Sequence, residues 1–303
     1  MPFVRRPHTT WQLRTRALSL GERTLLMGVL NVTPDSFSDA GAFLAPEAAL
    51  EHALGMLDEG ADLIDIGGES TRPGAQTITA EEEQERIVPV IQGILHQQPQ
   101  TVLSVDTYHA ATARAAIAAG AEIVNDVSGF AWDPEMSRTC ADLHCGVILM
   151  HSRGRPGEWR TLPRLDPKEV VPLVRSSLAH SLDTALAAGV APDRIVLDPG
   201  FGFGKVGDEN YPLLAHFDDL LRLGQPLLAG LSRKSFLARI LAAIETTGNA
   251  PRTPSDVPIH ARDHATLAAT TAAILAGASI VRVHEIRPAL EAARVADAIT
   301  GAA

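Results

Sequence analysis

The chain has 303 residues, 46% of them hydrophobic, and carries 36 acidic against 26 basic side chains. The net charge of -10 argues against nucleic acid or an anionic membrane surface as the main partner, although a local cationic cluster could still bind an anionic substrate. The only cysteines, Cys140 and Cys145, exclude a disulfide scaffold, and no apolar run approaches the roughly 20 residues that a bilayer span requires. Composition therefore favours a cytoplasmic enzyme with a sizeable core.

Residues 1–24 are predicted to form a loose N-terminal extension. The first 16 residues are rich in arginine, but no apolar stretch of the kind found in a secretory signal follows them. The regular pattern of the remaining chain begins at Leu25. We therefore expect one folded domain over residues 25–300.

Eight short apolar runs recur along this domain, and each ends next to a polar side chain. Buried parallel strands have this continuous apolar character. The runs are residues 25–30, 63–66, 102–105, 123–124, 147–150, 195–197, 227–231 and 280–281.

Amphipathic helical patterns separate most of these runs, and several end at a glycine, the residue that best accepts the left-handed conformation after a helix. They cover residues 46–60, 79–94 with a capping box of Thr79 and Glu82, 170–189, 213–224, 264–276 and 288–299. Alternating strands and helices predict an α/β protein with a single TIM (β/α)8 barrel, whose strands all end at one face.

Long loops follow the first and second predicted strands, at residues 31–45 and 67–78. They are rich in glycine, serine, proline and aspartate, and long loops at the carboxyl ends of barrel strands are usually lids or binding loops. Residues 244–260, which contain three prolines, are predicted to be a solvated insertion between two helices.

Three strand ends carry Asp106, Asn125 and Asp198. These side chains could bind a metal ion, act as acid and base, or bind the edge of a flat heterocycle. A carboxylate accepts two parallel N–H bonds and an amide offers one donor and one acceptor, a set that complements a guanine-like edge.

The last two strand ends carry Lys234, Arg282 and His284, where barrels commonly hold phosphate. The alternative for Arg282 is an ion pair with Glu285 or Asp263 at the rim. In the two long loops, Thr71 and Arg72 suit an anion, while Asn31 and Asp35 suit Mg²⁺. Phe203, in the glycine-rich stretch 198–205, could cover an aromatic ligand. His151 could be a catalyst or a hydrogen-bonded part of the scaffold.

Taken together, these segments resemble the dihydropteroate synthases of the pterin-binding TIM-barrel family, from Met27 to about Arg294. The segments that carry the resemblance are MGVLNVTPDSFSD from Met27, DIGGESTRPG from Asp65, SVDT from Ser104, NDVS from Asn125, LDPGFGFGK from Leu197, SRKS from Ser232 and RVH from Arg282.

The resemblance implies condensation of a dihydropterin-methyl diphosphate with 4-aminobenzoate in folate biosynthesis, with Mg²⁺ as the metal. It implies that Asp106, Asn125, Asp198 and Lys234 hold the pterin and that Arg282 stacks on it. Arg282 would also engage the diphosphate and Mg²⁺ with Asn31, the metal ligand, and His284. Thr71, Arg72, Pro73, Phe37 and Ser235 would form the aminobenzoate pocket, and Asp35 lies on the moving loop. Asp35, Arg72 and Lys234 are the expected catalytic residues.

The resemblance further implies sulfonamides as competitors and a homodimer formed through C-terminal helices, for which the small face Ala268, Ala269, Ala272 and Ala276 is a candidate. The same alanines could instead pack on the barrel. Some positions depart from the family pattern without being ligand positions: Tyr108-His109, Ser152, Glu285 and Ala265-Thr266.

Two other functions are possible for such a chain. A corrinoid-linked pterin methyltransferase would keep Asp106, Asn125 and Asp198 but would not need the cations at 234, 282 and 284. A non-catalytic pterin-binding paralogue should have lost loop residues such as Asp35 or Arg72, and both are present.

Overall fold

The computed structural model describes residues 3–33, 45–70, 77–159, 161–244 and 253–302. An N-terminal antiparallel hairpin consists of β1 (Thr9–Gln12) and β2 (Ala17–Leu20). Eight further strands follow: β3 (Leu25–Asn31), β4 (Leu63–Gly67), β5 (Val102–Asp106), β6 (Ile123–Asp126), β7 (Gly146–Met150), β8 (Ile195–Asp198), β9 (Leu228–Ala229) and β10 (Ile280–Val283).

The α-helices of the described residues lie between and after these strands. They are α1 (Ala45–Asp58), α2 (Ala80–Gln97), α3 (Ala110–Ala118), α4 (Met136–Leu143), α5 (Pro167–Ala188), α6 (Asn210–Ala215), α7 (Ser235–Ile244), α8 (Asp263–Leu275) and α9 (Ile286–Ala302). In the part of the chain that the structure covers, no helix is both long and apolar enough to cross a membrane.

The eight strands β3–β10 form one parallel sheet, in the order β8-β7-β6-β5-β4-β3-β10-β9. A parallel bridge between Leu197 and Leu227 joins the two outer strands, and the Leu197 amide donates to the Pro226 carbonyl at 3.0 Å. The sheet therefore closes on itself, which confirms the predicted (β/α)8 barrel. β9 is shorter than the apolar run 227–231 suggested.

Side chains alternate between the two faces of each strand, and this alternation builds the barrel interior in layers. Outward residues such as Leu26 and Leu103 pack in the cluster that the helices cover. A lower inward layer is apolar and consists of Leu25, Met27, Leu63, Val102, Ile123, Ile148, Val196, Leu228 and Ile280. Two residues further along five of these strands, the same face carries Asp65, Ser104, Asn125, Asp198 and Arg282.

The N-terminal extension is not loose, contrary to our prediction. Trp11, Leu13 and Leu20 are each only 1% exposed and pack with the lower apolar layer of the barrel. The Trp11 indole Nε1 donates to the Arg194 carbonyl at 2.8 Å. The hairpin is the floor of the barrel, and the low hydrophobicity of a short alternating segment concealed this role.

The N-terminal segment also contacts the C-terminal helix. The buried Arg6 guanidinium donates to the Asp297 carboxylate at 2.6 Å and to the Thr24 hydroxyl and the Ala278 carbonyl. Asp297 in turn accepts from the Thr24 amide at 2.9 Å. These bonds link the start of the described chain to α9.

The helices agree with the predicted patterns except in one region. The capping box of Thr79 and Glu82 is present at the start of α2. The pattern 213–224, predicted as one helix, breaks at His216 into α6 and a 3-10 helix over Phe217–Leu223. Helix α3 ends just before Gly120, where the sequence predicts the end of a helix, and Cys140 and Cys145 flank the end of α4 as expected. In the 244–260 insertion, Val257 is buried against Ala238 and Ala242, so this described part is not merely solvated.

Replacing Trp11 by Ala should lower the free energy of unfolding by about 3–5 kcal/mol, because it removes a buried indole and leaves a cavity beneath the barrel. Denaturant unfolding measures this change. Phe3→Ala is the matched control: Phe3 is 47% exposed, so its replacement should change stability by less than about 0.5 kcal/mol. Equal effects of the two substitutions would contradict the role of the hairpin as the floor.

Candidate active site

The structure brings most of the predicted site residues to the carboxyl ends of the barrel strands. These are Asn31, Asp106, Asn125, Asp198, Phe203, Lys234, Arg282 and His284. Ser235 is exposed at the first position of α7. Asp35, Phe37, Thr71, Arg72 and Pro73 lie outside the described residues, so the expectations for them stay predictions.

A buried hydrogen-bonded network lies at the centre of the site. The Arg282 guanidinium donates from Nε to Asp65 Oδ2 at 2.6 Å and from a terminal nitrogen to Asp106 Oδ2 at 2.7 Å. The Asn125 amide nitrogen also donates to Asp65 Oδ2, at 2.9 Å. Asp65 is fully buried. Four strands, β4, β5, β6 and β10, thus each contribute one side chain to this network.

Sequence reasoning missed Asp65 because it counted this residue as part of the apolar run 63–66. One signal was available. An ionisable side chain inside a buried strand is expensive unless it is paired. Asp65 also shares the inward face with Leu63, at the same register level as Ser104 on β5.

The Asp198 carboxylate completes the polar layer from the neighbouring strand β8. Its Oδ1 accepts from the Gly200 amide at 2.7 Å, and a Cβ on Gly230 would lie only 3.6 Å from its Oδ2. Burial raises the pKa of Asp198, and the charges of Lys234 and Arg282 oppose that rise. Burial raises the pKa of Asp106 as well, against the effect of Arg282.

Lys234 places its ammonium over an aromatic ring at the mouth of the barrel. The Lys234 Nζ lies 4.1 Å from the centroid of the Phe203 ring, within the range of a cation–π interaction. Burial lowers the pKa of Lys234 to about 8, with a further lowering by Arg282 and an opposing effect of Asp198 and Asp106.

The rim carboxylates that could have paired with Arg282 pair with Arg233 instead. Arg233 donates from Nε to Asp263 at 2.8 Å and from a terminal nitrogen to Glu285 at 2.6 Å. Its backbone has a φ of +59° and its amide donates to Thr266 Oγ1. Arg282 is therefore committed to the interior, and two of the positions that depart from the family pattern, Glu285 and Thr266, hold the turn before Lys234.

His284 and Asn31 flank this cationic side of the site. The His284 ring nitrogen Nδ1 lies 2.8 Å from the Ser232 hydroxyl. Asn31 ends β3, and a Cβ on Gly67 would lie 3.8 Å from both Asn31 Oδ1 and Asp106 Cγ. The Asn31 amide oxygen thus faces the same space as Asp106, across a glycine that leaves it open.

A hydrogen-bonded cluster fixes the loop stems after β4 and β5. Tyr108 donates its hydroxyl to the Glu69 carboxylate at 2.8 Å, and Glu83 accepts from Thr107 Oγ1 at 2.7 Å and lies 3.0 Å from His109 Nδ1. Among the described residues, Glu69, Glu83 and His109 form the one group whose side chains could together hold a metal ion. Their partners within the cluster explain them as anchors of the loop stems.

His151 is part of the scaffold. The buried Lys205 ammonium nitrogen lies 2.8 Å from His151 Nδ1 and donates to the Phe203 carbonyl at 3.1 Å. Burial lowers the pKa of Lys205 to about 7, and burial together with Lys205 lowers the pKa of His151. This pair fixes the glycine-rich loop that carries Phe203.

Replacing Gly200 by Ala should displace this loop. Gly200 has a φ of +65°, and a Cβ there would lie 2.0 Å from the His151 carbonyl oxygen. We expect a loss of about 2 kcal/mol or more in unfolding free energy, from left-handed strain and the backbone clash. Gly157→Ala, where a Cβ would meet nothing within 4 Å, is the control and should be close to neutral in the same denaturant unfolding. A neutral Gly200→Ala would show that the loop adapts freely.

The arrangement has a clear chemical character. Acceptor atoms from Asp106, Asn125 and Asp198 lie inside the barrel, the cationic side chains of Lys234 and Arg282 lie beside them, and the His284 ring follows directly after β10. Such a site can bind a flat heterocycle rich in N–H donors that carries an anionic tail. The sequence left three uses open for Asp106, Asn125 and Asp198: a metal site, acid–base catalysis or binding of a heterocycle. Binding of a heterocycle is favoured, because Asn125 and Asp106 are held by hydrogen bonds within the Arg282 network.

Comparison with known proteins agrees with this character. The family model for pterin binding enzymes matches residues 27–284. Dihydropteroate synthase of Synechocystis is 42% identical over 92% of this chain and 91% of its own length. The Xanthomonas albilineans dihydropteroate synthase, solved with 4-aminobenzoic acid, is 40% identical with a TM-score of 0.84 and covers 97% of this chain and 98% of its own. The Yersinia pestis enzyme, solved as a complex with a sulfonamide drug, is 38% identical with a TM-score of 0.85 and covers 97% and 100%.

Proposed function

Since the chain belongs to the pterin-binding enzymes and, among them, to the dihydropteroate synthases, we propose specific roles for the residues of its active site. A dihydropteroate synthase is a transferase of folate biosynthesis. It joins a dihydropterin-methyl diphosphate to 4-aminobenzoate and releases diphosphate. The observation that carries the assignment of roles is the buried network of Asp65, Asn125, Arg282 and Asp106 at the strand ends, with Asp198 and Lys234 beside it.

Asp106, Asn125 and Asp198 are proposed to bind the polar edge of the pterin. Asn125 and Asp198 belong to the inward polar layer, above the apolar lower layer of the barrel, and Asp106 lies two residues beyond Ser104 on the same face of β5. Asp106 and Asp198 each have one carboxylate oxygen engaged within the protein, by Arg282 and by the Gly200 amide respectively. The second oxygen of each can accept an N–H of the ligand. Phe203 and the face of the Arg282 guanidinium are proposed to cover the ring.

Arg282, His284 and Asn31 are proposed to engage the diphosphate end with Mg²⁺. Asn31 offers a hard amide oxygen beside Asp106 in the open space that Gly67 leaves, and Mg²⁺ is commonly bound through one or two protein oxygens together with substrate phosphates and waters. The donor set therefore fits the ion. When bound, Mg²⁺ would neutralise negative charge on the leaving diphosphate. Asp35 remains a proposed contributor from outside the described residues.

The aminobenzoate pocket is proposed to lie where Ser235 begins α7, together with Thr71, Arg72, Pro73 and Phe37. Ser235 is exposed and follows Lys234 directly, so a second substrate there would lie next to the pterin methylene. Sulfonamides are proposed to compete for this pocket, in line with the sulfonamide complex of the Yersinia pestis enzyme.

In the proposed mechanism, the bond between the pterin methylene carbon and the diphosphate oxygen breaks and its electron pair leaves with diphosphate. Arg282 and His284 stabilise that charge, and such electrostatic stabilisation is usually the largest catalytic contribution. Asp106 and Asp198 stabilise positive charge on the ring through its N–H groups. The aniline nitrogen of aminobenzoate forms the new C–N bond and then loses a proton to solvent. Arg72, Asp35 and Lys234 are the proposed catalytic residues, with Lys234 between ring and diphosphate.

The two other functions considered from the sequence are not favoured. A corrinoid-linked methyltransferase would not need the cations, yet Arg282 is held in place by two carboxylates and Lys234 lies at the mouth. The Synechocystis and Bacillus subtilis proteins, 42% and 40% identical over nearly the whole chain, are dihydropteroate synthases rather than binding paralogues.

A homodimer and a cytoplasmic location complete the proposal. The predicted alanine face divides in the structure: Ala269 and Ala276 pack on the barrel, while Ala268 and Ala272, one helical turn apart, are exposed. The exposed pair would allow close approach of a second copy along α8. Cys140 and Cys145 are buried free thiols, which suit a reducing compartment.

Purified protein incubated with the pterin diphosphate, 4-aminobenzoate and Mg²⁺ should release diphosphate and form 7,8-dihydropteroate. In Asp198→Asn an acceptor becomes a donor that faces ring N–H groups, which costs about 1–3 kcal/mol or more. We expect calorimetry to show pterin diphosphate binding at least about ten-fold weaker. If Asp198→Asn forms product at the parent rate and binds the pterin diphosphate with unchanged affinity, the role assigned to Asp198 is wrong. If the parent protein forms no product, the proposed function is wrong.

Activity should fall as the pH rises through about 8. Burial lowers the pKa of Lys234 to about 8, so its ammonium is present below that pH and lost above it. The profile of kcat/KM against pH should therefore show an alkaline limb near 8. Lys234→Arg keeps its charge throughout this range and should be less active but lack that limb. An alkaline limb that stays near 8 in Lys234→Arg would assign it to another group.

A further inference from the structure

Asp65 is a buried carboxylate that makes no direct contribution to the proposed substrate contacts. Its Oδ2 accepts from two side chains at once, the Asn125 amide at 2.9 Å and the Arg282 Nε at 2.6 Å. Its Oδ1 has no hydrogen-bond partner within the described chain, and neither has the hydroxyl of Ser104 at the same register level. A role in stability alone explains this poorly, since a buried carboxylate is costly where an apolar side chain of similar size could fill the barrel.

The contact with Asp65 decides which atom Asn125 presents to the ligand. An asparagine side chain carries one acceptor oxygen and one donor nitrogen, and its hydrogen-bond partners decide which way it points. With its nitrogen held by a carboxylate, Asn125 directs its oxygen to the remaining side, toward the site. Without Asp65 the amide could turn over and present a donor to the ligand.

The contact between Asp65 and Arg282 fixes the plane of the guanidinium, as the contact with Asn125 fixes the plane of the amide. The guanidinium is held on its edge by Asp65 at Nε and by Asp106 at a terminal nitrogen, 2.7 Å away. Two carboxylates on different strands thus prevent rotation of this planar group. The same contact leaves Asp106 with one oxygen engaged and one available.

We propose that Asp65 is a positioning residue that sets the donor–acceptor pattern of the pterin site, by holding Asn125 as an acceptor toward the ligand and Arg282 in a fixed plane. This inference rests on the proposed function and deepens it. It makes pterin specificity depend on a side chain that does not itself contact the ligand.

The test is calorimetric titration of the parent and its variants with the pterin diphosphate in the presence of Mg²⁺. Asp65→Leu fills the space but accepts no hydrogen bond, and should weaken binding at least about 30-fold. Asp65→Asn can place its amide oxygen at the position of Oδ2 and so still accept from Asn125 and Arg282, and it should restore affinity to within about five-fold of the parent. Ser104→Ala, at the same depth in the barrel, is the matched control and should bind like the parent.

A double-mutant cycle separates positioning from general structural support. In the Asn125→Ala background, Asp65→Leu should weaken binding at least about five-fold less than it does in the parent, because there is no amide left to orient. Equal effects in both backgrounds would overturn the proposal, as would parent-like binding by Asp65→Leu. A parent that fails to bind pterin diphosphate would instead overturn the proposed function.

The NMR signal of the Asn125 side-chain amide tests the same inference without Asp65→Leu, should that variant not fold. The signal is identified by its loss in Asn125→Ala. We expect it to be protected from exchange with water in both the free and the pterin-bound parent, and to shift in Asp65→Asn. Protection that appears only when the pterin binds would mean that the amide donates to the ligand, and would overturn the proposal.

Discussion

The guanidinium of Arg282, buried between the carboxylates of Asp65 and Asp106, is the interaction on which the active site depends. A charged group in a barrel interior is tolerated only if it is paired and hydrogen-bonded. Arg282 meets that condition through β4 and β5, and Asp65 extends the network to Asn125 on β6. The pairing that makes the arginine tolerable therefore also orders the side chains proposed to bind the pterin.

The closed barrel makes such a polar layer possible because inward-facing residues two positions apart on a strand lie in different layers. One layer is apolar and the next is polar. The apolar layer lies two residues before the polar one, and the hairpin closes it with Trp11, Leu13 and Leu20. The carboxylates are thus held over a floor that excludes water from below, which raises the pKa of Asp106 and Asp198 and lowers that of Lys234. The mouth alone is left for the substrate.

Much of this architecture is predictable from the sequence, since eight apolar runs and intervening helical patterns specify a barrel and place Asp106, Asn125, Asp198, Lys234, Arg282 and His284 at one face. The remainder follows from tertiary contacts. Asp65 interrupts an apolar run whose neighbours hide it, and the hairpin has too little hydrophobic pattern to reveal a partner. The break at His216, where the backbone leaves the helical region, interrupts an apolar pattern that continues through it. Arg282 does not pair with Asp263 or Glu285 because Arg233 pairs with both of them. The left-handed backbone of Arg233 cannot be predicted from the sequence pattern.

The bonds from Arg6 to Asp297 and from Thr24 to the same carboxylate have a consequence for the order of folding. They join residues 291 and 273 positions apart, and closure of the barrel also needs β10 beside β3. During synthesis the hairpin and β3 emerge before the rest of the barrel, and their contacts with Asp297 and β10 must wait until the last barrel strand and α9 have emerged. Contacts of such long range make folding slow. Until they form, the unpaired edge of β3 and the hairpin are accessible to chaperones.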